Sequence, residues 1–195
     1  MTIDVRPITG AAIADVVDDL AALRIEVFCE WPYLYEGTLD YERWYLGQLA
    51  ASPDAIVVGA FEGVVMVGAA TGVPLAHEHA EFVDPLRADG IDPKRTFYLA
   101  ESVLRAPYRG RGIGHAFFDH REAHARAVGA DRAVFCAVIR PATHPRRPCN
   151  ERRLEPFWEK RGYRPLVGVM AHFGWRDIGD AAETEKRLQF WSKFL

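Results

Sequence analysis

The 195-residue sequence has few cysteines and no long uninterrupted hydrophobic run. Its three cysteines, Cys29, Cys136 and Cys149, are far apart and form no Cys-x-x-Cys pair, so neither a disulfide framework nor a structural zinc site is indicated. The first ten residues lack the apolar core of a secretory signal. The most hydrophobic stretch, 56–73, is interrupted by Glu62 and several glycines, which predicts two strands around a turn and no membrane span. We therefore expect a cytoplasmic protein with no membrane partner.

An excess of basic charge is also absent. The formal net charge is −3 at pH 7, whereas domains that bind nucleic acid are usually basic, so no nucleic-acid partner is expected. A hydrophobic content of 49% with 26% charged residues is ordinary for a globular protein. The length suffices for one domain with its own core, and no repeat or low-complexity tract divides the chain. We expect a single domain over residues 1–195.

The spacing of apolar residues predicts a mixed order of helices and strands. The predicted segments are, in order, a strand at 3–8, helices at 11–28 and 40–51, a hairpin at 56–73, a short helix at 78–88, a strand at 97–104, a helix at 113–128, a strand at 132–139, a helix at 154–161, and strands at 163–175 and 188–195. This order favours an α/β fold with a mixed, partly antiparallel central sheet and helices on both faces.

The strongest motif is the run RGRGIG at 109–114, between a predicted strand and a predicted helix. A turn of this kind leaves backbone N–H groups free at the positive end of the helix. Glycines let an anion approach that backbone, so the run predicts a diphosphate site. A Walker loop is excluded because no Gly-Lys-Ser/Thr follows, and a dinucleotide fingerprint from Gly110 would need Gly or Ala in place of His115.

In this context, the residues Arg109, Gly112 and Gly114 resemble the acyl-CoA signature Arg/Gln-x-x-Gly-x-Gly/Ala of the GNAT family of N-acetyltransferases. The order of predicted elements is similar to that family over nearly the whole chain. The resemblance implies an acyl-CoA N-acyltransferase fold, splayed at the cofactor strands. It also implies acetyl-CoA as co-substrate, with no metal.

The resemblance further implies which residues bind the cofactor. Backbone groups of Val103 and Leu104 are expected to bond the pantetheine arm, and one N–H there is expected to polarise the thioester carbonyl. The diphosphate is expected at Arg109, Gly110, Arg111, Gly112, Ile113 and Gly114. Asn150 lies one residue from the place where the family often has a CoA-contacting asparagine, so it is a further candidate.

Acetyl transfer to an amine requires a proton acceptor, because an amine with a pKa near 10.4 is almost fully protonated at pH 7. Glu101 lies in an otherwise apolar strand, and related enzymes often use a glutamate on this strand as base; the alternative is a buried structural carboxylate. Trp158 stands where many relatives have a tyrosine acting as general acid, and an indole cannot take that role. Tyr163 is expected in the core. His120 and His124 have no third ligand in view, so packing is favoured over metal binding.

The loop at 29–37 contains Trp31, Tyr33 and Tyr35, which are expected to form a wall for a cationic acceptor; the alternative is that they fill the core. The segment 74–95 departs from the family pattern and is interpreted as a lid or as an elaboration without a role in turnover. We thus expect an enzyme that moves acetyl from acetyl-CoA to a small-molecule amine by direct attack in a ternary complex. The alternative is a catalytically silent CoA-binding sensor or partner-binding module. The oligomeric state stays open, with a homodimer as one alternative.

Overall fold

A computed structural model of the protein describes residues 2–195. The strands are β1 (Asp4–Thr9), β2 (Ile56–Glu62), β3 (Val65–Pro74), β4 (Thr96–Tyr98), β5 (Ser102–Leu104), β6 (Arg132–Ile139), β7 (Arg164–Trp175) and β8 (Thr184–Phe194). The α-helices are α1 (Val17–Phe28), α2 (Leu39–Ala51), α3 (Ala80–Ala88), α4 (Ile113–Ala127) and α5 (Glu155–Lys160).

The strands form one mixed sheet with the order β1-β2-β3-β4-β6-β8-β7, and β5 pairs with β3 beside β4. Neighbouring strands are antiparallel except β4 and β6, which are parallel and connected through α4. Apolar side chains of α1, α2 and α3 pack on one face of the sheet, and those of α4 and α5 pack on the other. The predicted partly antiparallel α/β fold with helices on both faces is confirmed.

The strand predicted at 97–104 is in fact two short strands. The N–H of Leu99 donates to Val134 O on β6 (2.8 Å), whereas the N–H of Ala100 donates to Thr71 O on β3 (3.1 Å). The chain therefore changes partner within one residue, and β5 pairs with β3 but not with β6. All of β4 is buried, whereas only Val103 of β5 is; the residues from Phe97 to Leu104 are mostly apolar throughout, so hydrophobic spacing did not reveal the break. The expected splay is confirmed, because a gap opens between β5 and β6.

The other differences are at the ends of elements. The helix predicted from residue 11 begins as a 3-10 helix, Gly10–Val16, and becomes α-helical only at Val17. The final strand begins at Thr184, four residues before the predicted start. The helix predicted at 78–88 is present as α3.

Candidate active site

The turn before α4 is shaped for an anion. Gly110 and Gly112 have positive φ angles of 79° and 83°, a conformation that side chains rarely adopt. Gly112 is the N-cap of the 15-residue α4, whose first turn has no side-chain cap and no acidic residue. The positive end of the helix dipole is therefore not neutralised by the protein itself. Residues 109–114, here called the anion cradle, fit the diphosphate of an acyl-CoA.

Two arginines flank the anion cradle. Arg109 donates from Nε to Leu104 O (2.8 Å) and pairs through Nη1 with Glu30 (2.7 Å). The guanidinium of Arg111 lies 5.4 Å from the ring centroid of Tyr108 and is exposed. Positive charge thus surrounds the site, and Arg109 also connects it to the loop at 29–37.

The register of β5 determines which peptide groups face the gap. The N–H of Thr71 donates to Glu101 O, and the N–H of Arg105 donates to Val67 O. The C=O of Glu101 and the N–H of Arg105 therefore point toward β3. Because peptide groups alternate along a strand, Val103 also bonds toward β3, opposite Ala69. The backbone of Leu104 then faces the gap, whereas that of Val103 does not. The backbone of Ser102, which was not predicted, faces the gap as well.

Arg121 on α4 stabilises the break between β4 and β5. Its side chain is 1% exposed, and its Nη1 donates to Thr71 O (3.0 Å) and Glu101 O (3.1 Å). Its Nη2 donates to Ser102 Oγ (2.9 Å). Burial lowers the pKa of Arg121 to about 10, which leaves it protonated at neutral pH. Arg121 therefore fixes the position of the backbone between the end of β4 and the start of β5.

Glu101 lies in a buried ion-pair cluster, defined here as Glu42, Arg24 and Glu101. Arg24 Nη1 is 2.6 Å from Glu101 Oε1, and Arg24 Nε bonds Glu42. The guanidinium also lies 4.6 Å from the ring centroid of Tyr45. Sequence reasoning missed Arg24 and Glu42, although Arg24 follows Leu20 by one helical turn on the apolar face of α1.

Glu78 is a second carboxylate near Glu101 that sequence reasoning missed. Burial, and then the charge of Glu101, raise the pKa of Glu78 to about 7. The carboxylate of Glu78 in turn contributes to raising the pKa of Tyr45, Tyr98 and Cys136. The sequence provides no signal for this placement, because Glu78 lies between two histidines in an irregular segment.

The segment 74–95 is a wall of this site. The His79 ring stacks on Tyr45 at 6.0 Å, and the Phe82 ring lies 5.4 Å from both Tyr98 and Phe173. The segment therefore packs against α2, β4 and β7 at once. We give the name acceptor cleft to the surroundings of the Arg24–Glu101 ion pair, where Tyr45 and Phe28 lie against the guanidinium and Tyr33 packs on Phe28.

The three aromatic residues of the loop at 29–37 do not form one wall. The Tyr33 ring lies 4.5 Å from Phe28 and 6.0 Å from Trp175, and burial raises the pKa of Tyr33. Trp31 instead donates from Nε1 to Glu151 in the loop after β6. Burial, and then the carboxylate of Glu42, raise the pKa of Tyr35. The assignment of Trp31, Tyr33 and Tyr35 to the acceptor stays a prediction.

The remaining candidates are distant from the acceptor cleft or belong to the core. Tyr163 is fully buried and donates from its hydroxyl to Glu122 (3.0 Å), which confirms its expected core position. The ring of Trp158 lies 5.0 Å from Phe135. Asn150 is exposed in the loop between β6 and α5.

The raised pKa of Glu78 predicts a pH dependence of stability. The ordinary pKa is 4.5 and the folded value is about 7, so the folded state binds more protons between these values. The free energy of unfolding should therefore fall as pH rises from about 4.5 to about 7 and then level off. Urea unfolding across this range should show the fall in the native protein and a flatter profile in Glu78→Gln. Equal slopes in both would contradict the assignment.

Within residues 2–195, no group of three or more His, Cys, Asp and Glu side chains is arranged to bind a metal ion. His124, one of the two α4 histidines for which packing was favoured over metal binding, forms a hydrogen bond through Nε2 with the backbone oxygen of Asp54 (2.9 Å). None of the described helices combines the length and apolar character needed to cross a membrane.

The sequence and the fold are both similar to those of known acetyltransferases. A sequence model described as the acetyltransferase (GNAT) family matches residues 20–163. Solved structures with the same fold include an acetyltransferase from Thermus thermophilus (TM-score 0.57, 16% identity, covering 100% of this chain and 98% of that one). An aminoglycoside 6'-N-acetyltransferase complexed with coenzyme A has a TM-score of 0.60 at 15% identity, covering 100% and 97% of the two chains.

A ribosomal-protein-alanine N-acetyltransferase from Brucella melitensis has a TM-score of 0.60 at 14% identity, covering 98% and 99%. A search of curated proteins found no match. The family match covers most of the chain, including both the anion cradle and the acceptor cleft. The chain therefore belongs to the acetyltransferase (GNAT) family, enzymes that transfer an acetyl group from acetyl-CoA to an amine.

Proposed function

We propose that the protein transfers acetyl from acetyl-CoA to the amine of a small molecule by direct attack in a ternary complex. The observation that carries this proposal is the position of the two sites on one short segment. Glu101 in the acceptor cleft and Arg109 of the anion cradle are separated by the three residues of β5 and the turn that follows. A cofactor held along β5 would thus present its acyl end to Glu101.

On the cofactor side, backbone N–H groups of Gly110, Gly112, Ile113 and Gly114 are proposed to bond the diphosphate, with Arg109 and Arg111 adding charge. Leu104 and Ser102 are proposed to bond the pantetheine arm, in place of the earlier candidate Val103. One of their N–H groups would polarise the thioester carbonyl. Asn150 stays a candidate for an outer contact of the cofactor.

On the acceptor side, Glu101 is proposed as the catalytic base that takes a proton from the attacking nitrogen. Trp31, Tyr33 and Tyr35 stay the proposed aromatic contacts of a cationic acceptor. The small-molecule class is supported by the wall at 74–95, which packs across the acceptor cleft. Of the similar structures, one is named for an aminoglycoside and another for an alanine of a ribosomal protein, so fold alone does not choose between these classes.

Gly112→Glu is expected to weaken acetyl-CoA binding about tenfold to 100-fold, because it places a carboxylate at the anion cradle and removes charge-assisted hydrogen bonds. The matched control is Gly129→Glu at the other end of α4. Both glycines have positive φ, 83° and 88°, and an added Cβ meets nothing within 4 Å at either. Both variants therefore carry the same backbone strain of about 1–2 kcal/mol.

Isothermal titration calorimetry with acetyl-CoA measures the effect. The proposal expects normal affinity in Gly129→Glu and weak binding in Gly112→Glu. Equal affinity in the two variants would contradict the assignment of the anion cradle, and no binding by the native protein would contradict the function.

The silent CoA-binding sensor stays a second candidate, favoured by Trp158, which cannot protonate the leaving thiolate. A thiolate with a pKa around 8.5 can leave without an acid, so this observation does not exclude turnover. Acetylation of any amine in a panel of primary amines would exclude the sensor. We also propose that residues 1–195 act as one domain in the cytoplasm, where the three free thiols would stay reduced.

A further inference from the structure

We propose that Arg140 is a positioning residue for the acceptor: it holds the loop at 29–37 beside the gap between β5 and β6, and its loss weakens binding of the amine. The inference rests on the proposed function, in which that loop contacts the acceptor. Arg140 directly follows β6, and its side chain is 8% exposed. It donates from Nε to Pro32 O (2.8 Å) and from Nη2 to Tyr33 O (2.6 Å). Two consecutive carbonyls of the loop are therefore bound to the end of β6.

A buried carboxylate holds the guanidinium of Arg140 in this orientation. Asp177, two residues after β7, accepts from Arg140 Nη1 at Oδ2 (2.7 Å) and from Nη2 at Oδ1 (3.0 Å). This is the two-point geometry that a guanidinium forms with a carboxylate and an ammonium does not. Lys186 Nζ lies 3.1 Å from Asp177 Oδ1 and fixes the carboxylate in turn. Every nitrogen of Arg140 thus donates to a protein oxygen, so the role of Arg140 is to hold the loop and not to contact the substrate.

The residues around Asp177 also bind the loop directly. Trp175 donates from Nε1 to Tyr33 O (3.0 Å), and the N–H of Ile178 donates to Leu34 O (2.7 Å). Leu34 has a φ of 54°, a left-handed conformation that is strained for a residue with a bulky side chain. Such a conformation persists only where the surrounding contacts over-determine it, and it is common at ligand sites. Contacts from the ends of β6 and β7 therefore hold the loop backbone in one conformation.

The first part of the loop is attached to the opposite side of the gap. Glu30 Oε2 lies 2.7 Å from Arg109 Nη1, and Arg109 Nε donates to Leu104 O of β5 (2.8 Å). The loop is thus bound through Arg109 on the β5 side and through Arg140 on the β6 side. These are the two strands that border the gap, so the loop lies next to the space in which the acyl group is proposed to bind.

The loop also begins beside the proposed base. Phe28, the last residue of α1, has its ring centroid 5.1 Å from the guanidinium carbon of Arg24, and Arg24 pairs with Glu101 at 2.6 Å. The Tyr33 ring packs on Phe28 at 4.5 Å. An amine that reaches Glu101 would therefore meet this loop. Loss of Arg140 would release the loop on the acceptor side and leave the backbone of the anion cradle in place.

The kinetic test uses Arg140→Lys and Arg140→Met, with Lys193→Met as the matched control. Lysine keeps a countercharge for Asp177, but its single ammonium cannot bind both loop carbonyls and both carboxylate oxygens as the guanidinium does. Lys193 of β8 pairs with the buried carboxylate of Glu122 on α4 (2.7 Å). The control therefore also removes an ion pair with a buried carboxylate, but on the opposite face of the sheet.

The probes are an alkyl diamine, an arylethylamine, an amino acid and an aminoglycoside, each with acetyl-CoA. For the amine with the highest turnover, the KM of the amine should rise about tenfold to 100-fold in both Arg140 variants, because the displaced loop no longer holds the amine in place. Both kcat and the KM for acetyl-CoA should stay within about threefold of the native values. Lys193→Met should keep all three constants near native, and thermal unfolding checks that each variant is folded at the assay temperature.

A native KM for the amine in Arg140→Lys would overturn the inference, because Arg140 would then serve only as a countercharge for Asp177; the proposed function would stay intact. An equal rise in Lys193→Met would also overturn it, since loss of stability would then be the cause. Absence of turnover by the native protein with every amine would instead contradict the proposed function.

A second measurement does not depend on the acceptor. In protein labelled with 5-fluorotryptophan, the 19F resonance missing from Trp31→Phe reports on the position of the loop, because the Trp31 ring lies 5.1 Å from His144 and its Nε1 bonds Glu151. This resonance should shift in Arg140→Lys and keep its native position in Lys193→Met. An unchanged Trp31 resonance in Arg140→Lys would overturn the inference whether or not an acceptor is known.

Discussion

Replacing Arg24 with methionine is expected to lower the free energy of unfolding by about 3–5 kcal/mol. Arg24 is the shared partner of Glu42 and Glu101, and the side chains of all three are nearly inaccessible to solvent. Methionine keeps much of the volume but leaves two buried carboxylates without a countercharge. Such charges are costly because the interior solvates them poorly. Urea unfolding at pH 7 measures the loss.

The matched control is Arg43→Met, which removes the other ion pair between α1 and α2. Arg43 Nε lies 2.7 Å from Asp18 Oδ1, but both side chains are largely exposed. An exposed pair contributes about 0–1 kcal/mol, so this variant should be close to the native protein. A similar small effect in both variants would show that Arg24 does not stabilise the buried cluster.

Replacing Glu101 with glutamine is expected to lower kcat by about 10²- to 10⁴-fold, the usual contribution of a positioned base. The variant should fold, because Arg24 keeps Glu42 as a partner and the amide has nearly the same shape as the carboxylate. The affinity for acetyl-CoA should stay native, since the anion cradle is not changed. Steady-state kinetics with the best amine of the panel, together with calorimetric titration of acetyl-CoA, separates these effects.

Glu42→Gln provides the comparison for this prediction. It removes the other carboxylate bound to the same guanidinium, at a position that is 0% exposed and so out of reach of an acceptor. It should cost stability but keep kcat within about tenfold of the native value. If the two variants lost kcat equally, the effect would come from disturbing Arg24, and Glu101 would not be the base.

Features encoded in contiguous residues could be predicted with good accuracy. The run at 109–114 specifies its own conformation, because Gly110 and Gly112 permit the positive φ angles that place helix N–H groups at one point. The amphipathic spacing of α1, α2 and α4 and the apolar strands β2, β3 and β6 likewise depend on local patterns. These patterns sufficed for the fold class and for the position of the cofactor strand.

Contacts between segments that are distant in sequence could not be predicted from local patterns. Arg24 and Glu101 are separated by 77 positions in the chain (101 − 24), yet their side chains form an ion pair at 2.6 Å. Trp31 and Tyr33 are two residues apart, yet Trp31 bonds the loop after β6 and Tyr33 packs against Phe28 and Trp175. No local sequence spacing encodes these contacts.

The physical reason is that the backbone preferences of each residue largely determine local conformation, whereas tertiary packing determines which charged groups pair and which side chains are buried. The glycines at 110 and 112 permit the positive φ angles of the anion cradle by themselves, so this local shape depends little on distant contacts. The proton affinity of Glu78 depends instead on which groups the sheet, α1 and the wall at 74–95 place around it. Local sequence therefore pointed to the proposed cofactor site and to Glu101 as the candidate base, and only the folded chain revealed Arg24 and Glu42, which form the buried cluster with it.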